Sequence, residues 1–182
     1  MDEQSPETPE TPETLEALAV RVGQALKARH LMITTAESCT GGWVGEVLTA
    51  IAGSSDYYER GFITYSDESK RELLGVPEQT LKEYGAVSEE TVRAMAAGAI
   101  AHSRAQVSLS VSGVAGPGGG SEHNPVGTVC FGWALSADET QAQSKRRRFE
   151  GDRESVRRQS VACALRGLLE RIENLPLPKK AP

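Results

Sequence analysis

The sequence predicts an α/β protein, a three-layer α/β/α sandwich around a mixed, mostly parallel sheet. Two observations carry that prediction. Short β-branched, apolar runs near residues 31–35, 61–65 and 106–112 alternate with longer stretches of helical spacing. Residues 126–135 and 141–149 then follow one another around Ala137-Asp138 with no helix between them, which adds one antiparallel hairpin. A chain of 182 residues suits a single domain able to bury a core.

In order along the chain, residues 1–13 repeat a Pro-Glu-Thr pattern too poor in apolar residues to form a core, and read as a disordered acidic tail. A single domain is expected over 14–175, with a flexible C-terminal tail at 176–182. The first helix is expected over 12–29, with Leu15, Leu18, Val22 and Leu26 on one face and Thr11 or Thr14 as cap. A strand from Leu31 hands over at Ser38 to a second helix over 39–51. Residues 56–60 suggest a helical turn, 61–65 a strand. Ser66 caps a helix over 67–74 that Gly75 ends, and Pro77 and Gly85 bracket a shorter one. Ser88 caps a long helix to about 104, with Val92, Met95, Ala96 and Ala99 inward. In the strand at 106–112, Val107, Leu109 and Val111 alternate with serines before a glycine-rich loop at 113–120. The last helix is expected over 153–172.

The formal charge of −5 is set by the tail. Asp2, Glu3, Glu7, Glu10 and Glu13 stand there without a basic residue, so the rest of the chain balances at 20 acidic against 20 basic. A neutral body argues against a protein whose main task is holding nucleic acid. Cys39, Cys130 and Cys163 make no CxxC and do not cluster with the three histidines, which fits neither a zinc site nor a disulfide framework and suits reduced thiols in a cytoplasm. No apolar run reaches membrane-spanning length, and the acidic N-terminus is unlike a signal peptide.

Three strand ends are polar: Ser38, Tyr65 and Ser112. In a parallel α/β sheet, ligands bind beyond such ends, so the three are expected to converge on one crevice. Ser38 has two readings. It is a helix cap, or it is a nucleophile served by free N–H groups of the following turn, with Gly41 and Gly42 permitting close approach. Its neighbour Cys39 is a rival nucleophile, though a buried cysteine usually just packs. Lys70 is the best candidate base, since a helix N-terminus and partial burial both depress an amine pKa. Against that stands its setting among Glu68, Arg71 and Glu72, the mark of a solvated face. Tyr65 is equally readable as a core aromatic. His30, His102 and His123 lie away from the strand ends, and no GxSxG, SxxK, Walker A or GxGxxG pattern is present. Arg153, opening the last helix after Gly151-Asp152, suits a phosphate. The run Lys145-Arg146-Arg147-Arg148 reads as an edge-strand decoration or a subunit contact.

Six motifs share an order and spacing that resemble a known family: Thr35-Ala36-Glu37-Ser38-Cys39-Thr40-Gly41-Gly42, Gly61-Phe62-Ile63-Thr64-Tyr65-Ser66 through Lys70, Gly85-Ala86-Val87-Ser88, Ser112-Gly113-Val114-Ala115-Gly116-Pro117-Gly118-Gly119, Pro125-Val126-Gly127-Thr128-Val129 and Gly151-Asp152-Arg153. Over about residues 15–172 the chain resembles the CinA C-terminal family, whose stand-alone members are nicotinamide-nucleotide amidases. The resemblance implies hydrolysis of the carboxamide of nicotinamide mononucleotide to nicotinic acid mononucleotide and ammonia, without metal or organic cofactor. It implies Ser38 as nucleophile, Lys70 as base and Tyr65 as the residue that orients or shuttles the proton. By the same likeness Cys39, Thr40, Gly41, Gly42, Ser112, Gly113, Gly116, Pro117 and Arg153 bind substrate. Attack on an amide creates an oxyanion, and the first-turn N–H groups of Cys39 and Thr40 are expected to hold it. A homodimer is also implied, and the cytoplasm is expected from the cysteine usage and the N-terminus described above. A second reading keeps the pocket but not the chemistry, as a non-catalytic nucleotide-binding or interaction module. A third, a nucleic-acid accessory protein, rests on the 145–148 run alone.

Overall fold

A computed structural model describes residues 13–136 and 138–178. The tail expected at 1–13 therefore lies outside the described residues up to 12, as do Ala137 at the expected hairpin turn and 179–182 of the C-terminal tail. The elements run α1 (Leu15–Lys27), β1 (Ile33–Glu37), α2 (Trp43–Thr49), a 3-10 turn (Ser54–Asp56), β2 (Tyr58–Ile63), α3 (Asp67–Leu74), α4 (Glu78–Tyr84), α5 (Glu89–Ala101), β3 (Val107–Gly113), β4 (Thr128–Ala134), a second 3-10 turn (Glu139–Gln141), β5 (Gln143–Arg148) and α6 (Arg153–Glu173).

The strands form one mixed sheet in the order β2-β1-β3-β4-β5. β1 pairs in parallel with β2 and β3, while β4 is antiparallel to both β3 and β5, so every strand but β4 runs the same way. One face packs α1, α2 and α6 over Val107, Leu109, Val111 and Phe131. The other packs α3, α4 and α5 over Ala36 and Cys130. The alternation in β3 decides which face is which. Its valines and leucine enter the first core, and its serines face α5, where Ser108 Oγ and Ser110 Oγ donate to the carbonyls of Ala96 and Val92 at 2.7 and 2.6 Å. Small polar residues let α5 lie close to the sheet while satisfying each buried hydroxyl.

The caps at Thr14, Ser66 and Ser88 accept backbone N–H groups as the sequence predicts, and Ser66 and Ser69 complete a reciprocal capping box. Two elements differ from expectation. α2 begins at Trp43 rather than Cys39, because Gly41 and Gly42 take φ of 61° and 100°, outside the right-handed helix. β2 begins at Tyr58, where a helical turn was expected, and ends at Ile63. Its register against β1 runs to Glu37↔Ile63, so ladder pairing overrides the turn propensity of 56–60. The β4–β5 hairpin is antiparallel, but its connection spans residues 135–142 and includes the second 3-10 turn rather than a tight turn. The basic run 145–148 lies on β5, at one edge of the sheet. Among the described residues no helix is long and apolar enough to cross a membrane.

Candidate active site

Beyond the ends of β1 and β3 opens a cleft of about 250 Å³, lined by Ser38, Cys39, Tyr65, Lys70, Ser112 and Arg153 together with Asp67, Ala86, Val87 and the loop glycines 113, 116, 118 and 119. Ser38, Tyr65 and Ser112 thus converge as the sequence predicts. A larger groove of about 580 Å³ runs between β5 and α6. It lacks a nucleophile paired with a base, and its thiol, Cys163, is pushed up by burial. The smaller cleft brings a serine and a buried amine together.

Ser38 follows β1 directly, and its N–H donates to Val111 O of β3 at 2.9 Å, so the sheet ladder carries on one residue past the strand. It is not the cap of α2. That role falls to Glu37, the last residue of β1, whose buried carboxylate accepts from the N–H groups of Gly42, Val44 and Gly45 at 3.1, 3.0 and 2.8 Å and from Thr40 Oγ1 at 2.6 Å. Free of capping duty, Ser38 Oγ lies 3.3 Å from Lys70 Nζ.

Lys70 is 1% exposed, not part of a solvated face. Its Nζ reaches the carbonyls of Thr64 and Ser66 at 3.0 and 3.5 Å as well as Ser38. Burial holds its pKa below the ordinary lysine value, with Asp67 and Cys39 acting in the opposite sense. A neutral amine carries two hydrogens and one lone pair. With the hydrogens on the two carbonyls, the lone pair is left for the Ser38 hydroxyl.

Cys39 sits in the apolar core with its thiol pushed up to about 12, chiefly by burial, so it stays protonated at neutral pH. Its backbone N–H meets no acceptor among the described residues and its residue lines the cleft. Thr40 is fully buried, and Thr40, Gly41, Gly42 and Pro117 are not among the lining residues. Tyr65 is 63% exposed, so its ring is not a core aromatic. Its hydroxyl accepts from Arg153 Nη2 at 3.2 Å, and Arg153 Nη1 donates to Gly116 O at 2.8 Å. Arg153 thereby ties the glycine loop to Tyr65 at the cleft mouth. Ser112 Oγ donates to Ala86 O at 2.7 Å, which joins the end of β3 to the segment before α5. None of the three histidines lines the cleft.

Sequence reasoning missed Glu37 and Arg157. Arg157, one helical turn after Arg153, donates to the carbonyls of Cys39 and Thr40 at 3.1 and 2.9 Å. The signal for Arg157 was its i+4 spacing from Arg153, which puts both side chains on the face of α6 turned toward the Ser38 turn.

The CinA C-terminal domain family matches residues 15–172. The chain is 56% identical over 151 residues to a nicotinamide-nucleotide amidohydrolase, PncC, of Escherichia coli K12, covering 83% of this chain and 90% of that protein. It is 51% identical over 153 residues to the PncC of Pseudomonas putida, covering 84% and 94%. The crystal structure of the competence damage-inducible protein A of Klebsiella pneumoniae superposes with a TM-score of 0.85 at 40% identity, covering 90% of this chain and 99% of that one.

Proposed function

The chain belongs to the CinA C-terminal domain family, and from that membership we propose that it hydrolyses the carboxamide of nicotinamide mononucleotide to nicotinic acid mononucleotide and ammonia. The observation that carries the chemistry is the buried Lys70 amine, 3.3 Å from Ser38 Oγ with its pKa lowered by burial. In this reading neutral Lys70 takes the hydroxyl proton as Ser38 Oγ attacks the carboxamide carbon. The Cys39 N–H faces the oxyanion, a contribution of about 3 kcal/mol for one such donor. Collapse expels ammonia, with the proton held on Lys70 delivered to the leaving nitrogen and Tyr65 assisting its transfer. Water, deprotonated by the same amine, then attacks the nicotinoyl ester and regenerates Ser38. Arg153 and the 113–119 loop receive the phosphate, and Arg153 exchanges its contacts with Tyr65 and Gly116 for phosphate oxygens.

The reading extends to a single catalytic domain over 14–175 with tails at 1–13 and 176–182, and to a homodimer in the cytoplasm, supported by the family likeness; light scattering in solution tests the dimer. The test of function is ammonia release from nicotinamide mononucleotide with chelator present. Wild type is expected to be active, Ser38→Ala to lose about 10³-fold or more, and Lys70→Ala about 10²–10⁴-fold. Activity surviving in Ser38→Ala would overturn the nucleophile assignment. Inactive wild type that still binds the nucleotide by calorimetry would favour a binding module using the same cleft.

A further inference from the structure

The turn that presents Ser38 is held from two sides by charged side chains that do not line the cleft. Glu37 takes its donors, as described above. Arg157 takes its acceptors, donating from Nε to Cys39 O and from Nη2 to Thr40 O. Ser38 O accepts the Gly41 N–H at 3.0 Å, and Thr40 O also accepts the Trp43 N–H at 3.2 Å. Between Ser38 and Gly42 this leaves the N–H groups of Cys39 and Thr40 without an acceptor among the described residues, and only Cys39 borders the cleft.

The peptide geometry says what the guanidinium does there. In a trans peptide C=O(i) and N–H(i+1) share one plane and point in opposite directions, so holding the Cys39 and Thr40 carbonyls fixes the Cys39–Thr40 and Thr40–Gly41 planes, the second and third after Ser38. Their relative setting fixes φ and ψ of Thr40 and aims the Gly41 N–H at Ser38 O, and that bond in turn orients the Ser38–Cys39 plane and with it the Cys39 N–H. A planar fork with two donors can pin two adjacent carbonyls, and an ammonium on a flexible stem cannot hold both in that geometry. The guanidinium is itself fixed against the Trp43 ring, 5.2 Å from its centroid, at the start of α2.

We propose that Arg157 is a positioning residue for the amidase reaction, holding the Cys39 and Thr40 carbonyls so that the Cys39 N–H and Ser38 Oγ face the same substrate carbon. The proposal rests on Ser38 being the nucleophile, as read above. Arg157 does not line the cleft and is not among the hydrogen-bond partners of Lys70.

The test uses the full chain as wild type, Arg157→Lys, Arg157→Gln and Arg157→Gly, each first checked for a cooperative thermal transition. Two readouts are taken. One is kcat and KM for nicotinamide mononucleotide across pH. The other is the rate at which Ser38 Oγ displaces fluoride from a fluorophosphonate, followed by mass spectrometry, which needs no assumption about the natural substrate. Arg157→Gln is expected to lose about 10²-fold in kcat, the scale of an ångström of misplacement, with KM and the midpoint of the acid limb unchanged because Lys70 keeps its partners. Arg157→Lys is expected to fall with it, and added methylguanidinium to restore the folded Arg157→Gly variant. Fluorophosphonate labelling is expected to slow in parallel. Folded variants that label and turn over like the wild type would overturn the proposal, as would losses that follow the unfolded fraction and ignore methylguanidinium. If the wild type releases no ammonia, the amidase reading fails by itself, and the labelling rates still decide the role of Arg157.

Discussion

Lys70 is chemically unusual because its three oxygen neighbours satisfy either protonation state. As an ammonium it donates to Thr64 O, Ser66 O and Ser38 Oγ; as an amine it keeps the two carbonyls and turns its lone pair to Ser38. Burial chooses between them by disfavouring the charge. The consequence for activity is an acid limb in kcat/KM that rises as Lys70 loses its proton, with a midpoint below the ordinary lysine value of 10.5; a midpoint at or above that value would contradict the assignment. The consequence for stability has the same origin. With the folded pKa depressed, the unfolded chain binds more protons between the two pKa values. Lys70 therefore contributes its full stability above about pH 10.4, its unfolded value, and this is lost as pH falls through the folded pKa. The stability of wild type minus that of Lys70→Met, from denaturant midpoints at a series of pH values, is expected to increase from neutral toward alkaline pH. A flat difference would mean that the amine is charged throughout. From sequence, Lys70 stood among Glu68, Arg71 and Glu72 and resembled a surface residue. Its burial follows from helical periodicity, which turns those neighbours outward and Lys70 inward beside Leu74.

At the scale of elements, the contact that places the cleft is α5 against β3 and β4. Ser112 Oγ on Ala86 O continues the pattern of Ser108 and Ser110, so one row of serines carries α5 and then the rim of the cleft. Gly132 in β4 makes the approach possible, because a Cβ there would overlap the Val92 carbonyl oxygen and Ser110 Oγ. Gly132→Ala is expected to cost about 1–3 kcal/mol by overpacking, read as a lowered denaturant midpoint, and to weaken catalysis through the displaced Ala86–Ser112 contact. An unchanged midpoint would show that α5 moves freely. Much of this was legible, since alternation in 107–112 and the caps Ser66 and Ser88 are local patterns. The start of α2 was not. Helical spacing of Trp43, Val44, Val47 and Leu48 extends naturally back to Cys39, and nothing local reveals that a strand carboxylate, Glu37, caps the helix across two left-handed glycines. β2 was misplaced for a related reason, as its start is fixed by pairing with β1, a contact between residues far apart in sequence.

Across the whole molecule, the site is assembled from every part of the chain: β1 and its turn, the β2–α3 connection, the end of β3 with the glycine loop, and the first turns of α6. That α6 belongs to it was signalled only by Gly151-Asp152-Arg153, because the closure of a C-terminal helix over an N-terminal turn leaves no local trace. Arg153 and Arg157 tie α6 to the loop, to Tyr65 and to the Ser38 turn, so the cleft is bordered by segments brought together only in the folded chain. Binding should therefore stabilise the entire fold by mass action. For Ser38→Ala, which is expected not to cleave it, nicotinamide mononucleotide at 100 times its Kd is expected to add about 2.7 kcal/mol, seen as a concentration-dependent rise in Tm. The part due to phosphate is separable. Nicotinamide riboside, which lacks it, is expected to give a smaller rise at equal concentration, and Ser38→Ala/Arg153→Ala to lose most of that difference. If the doubly substituted chain prefers the phosphorylated ligand by as much as Ser38→Ala does, the phosphate is held by the 113–119 loop and not by Arg153.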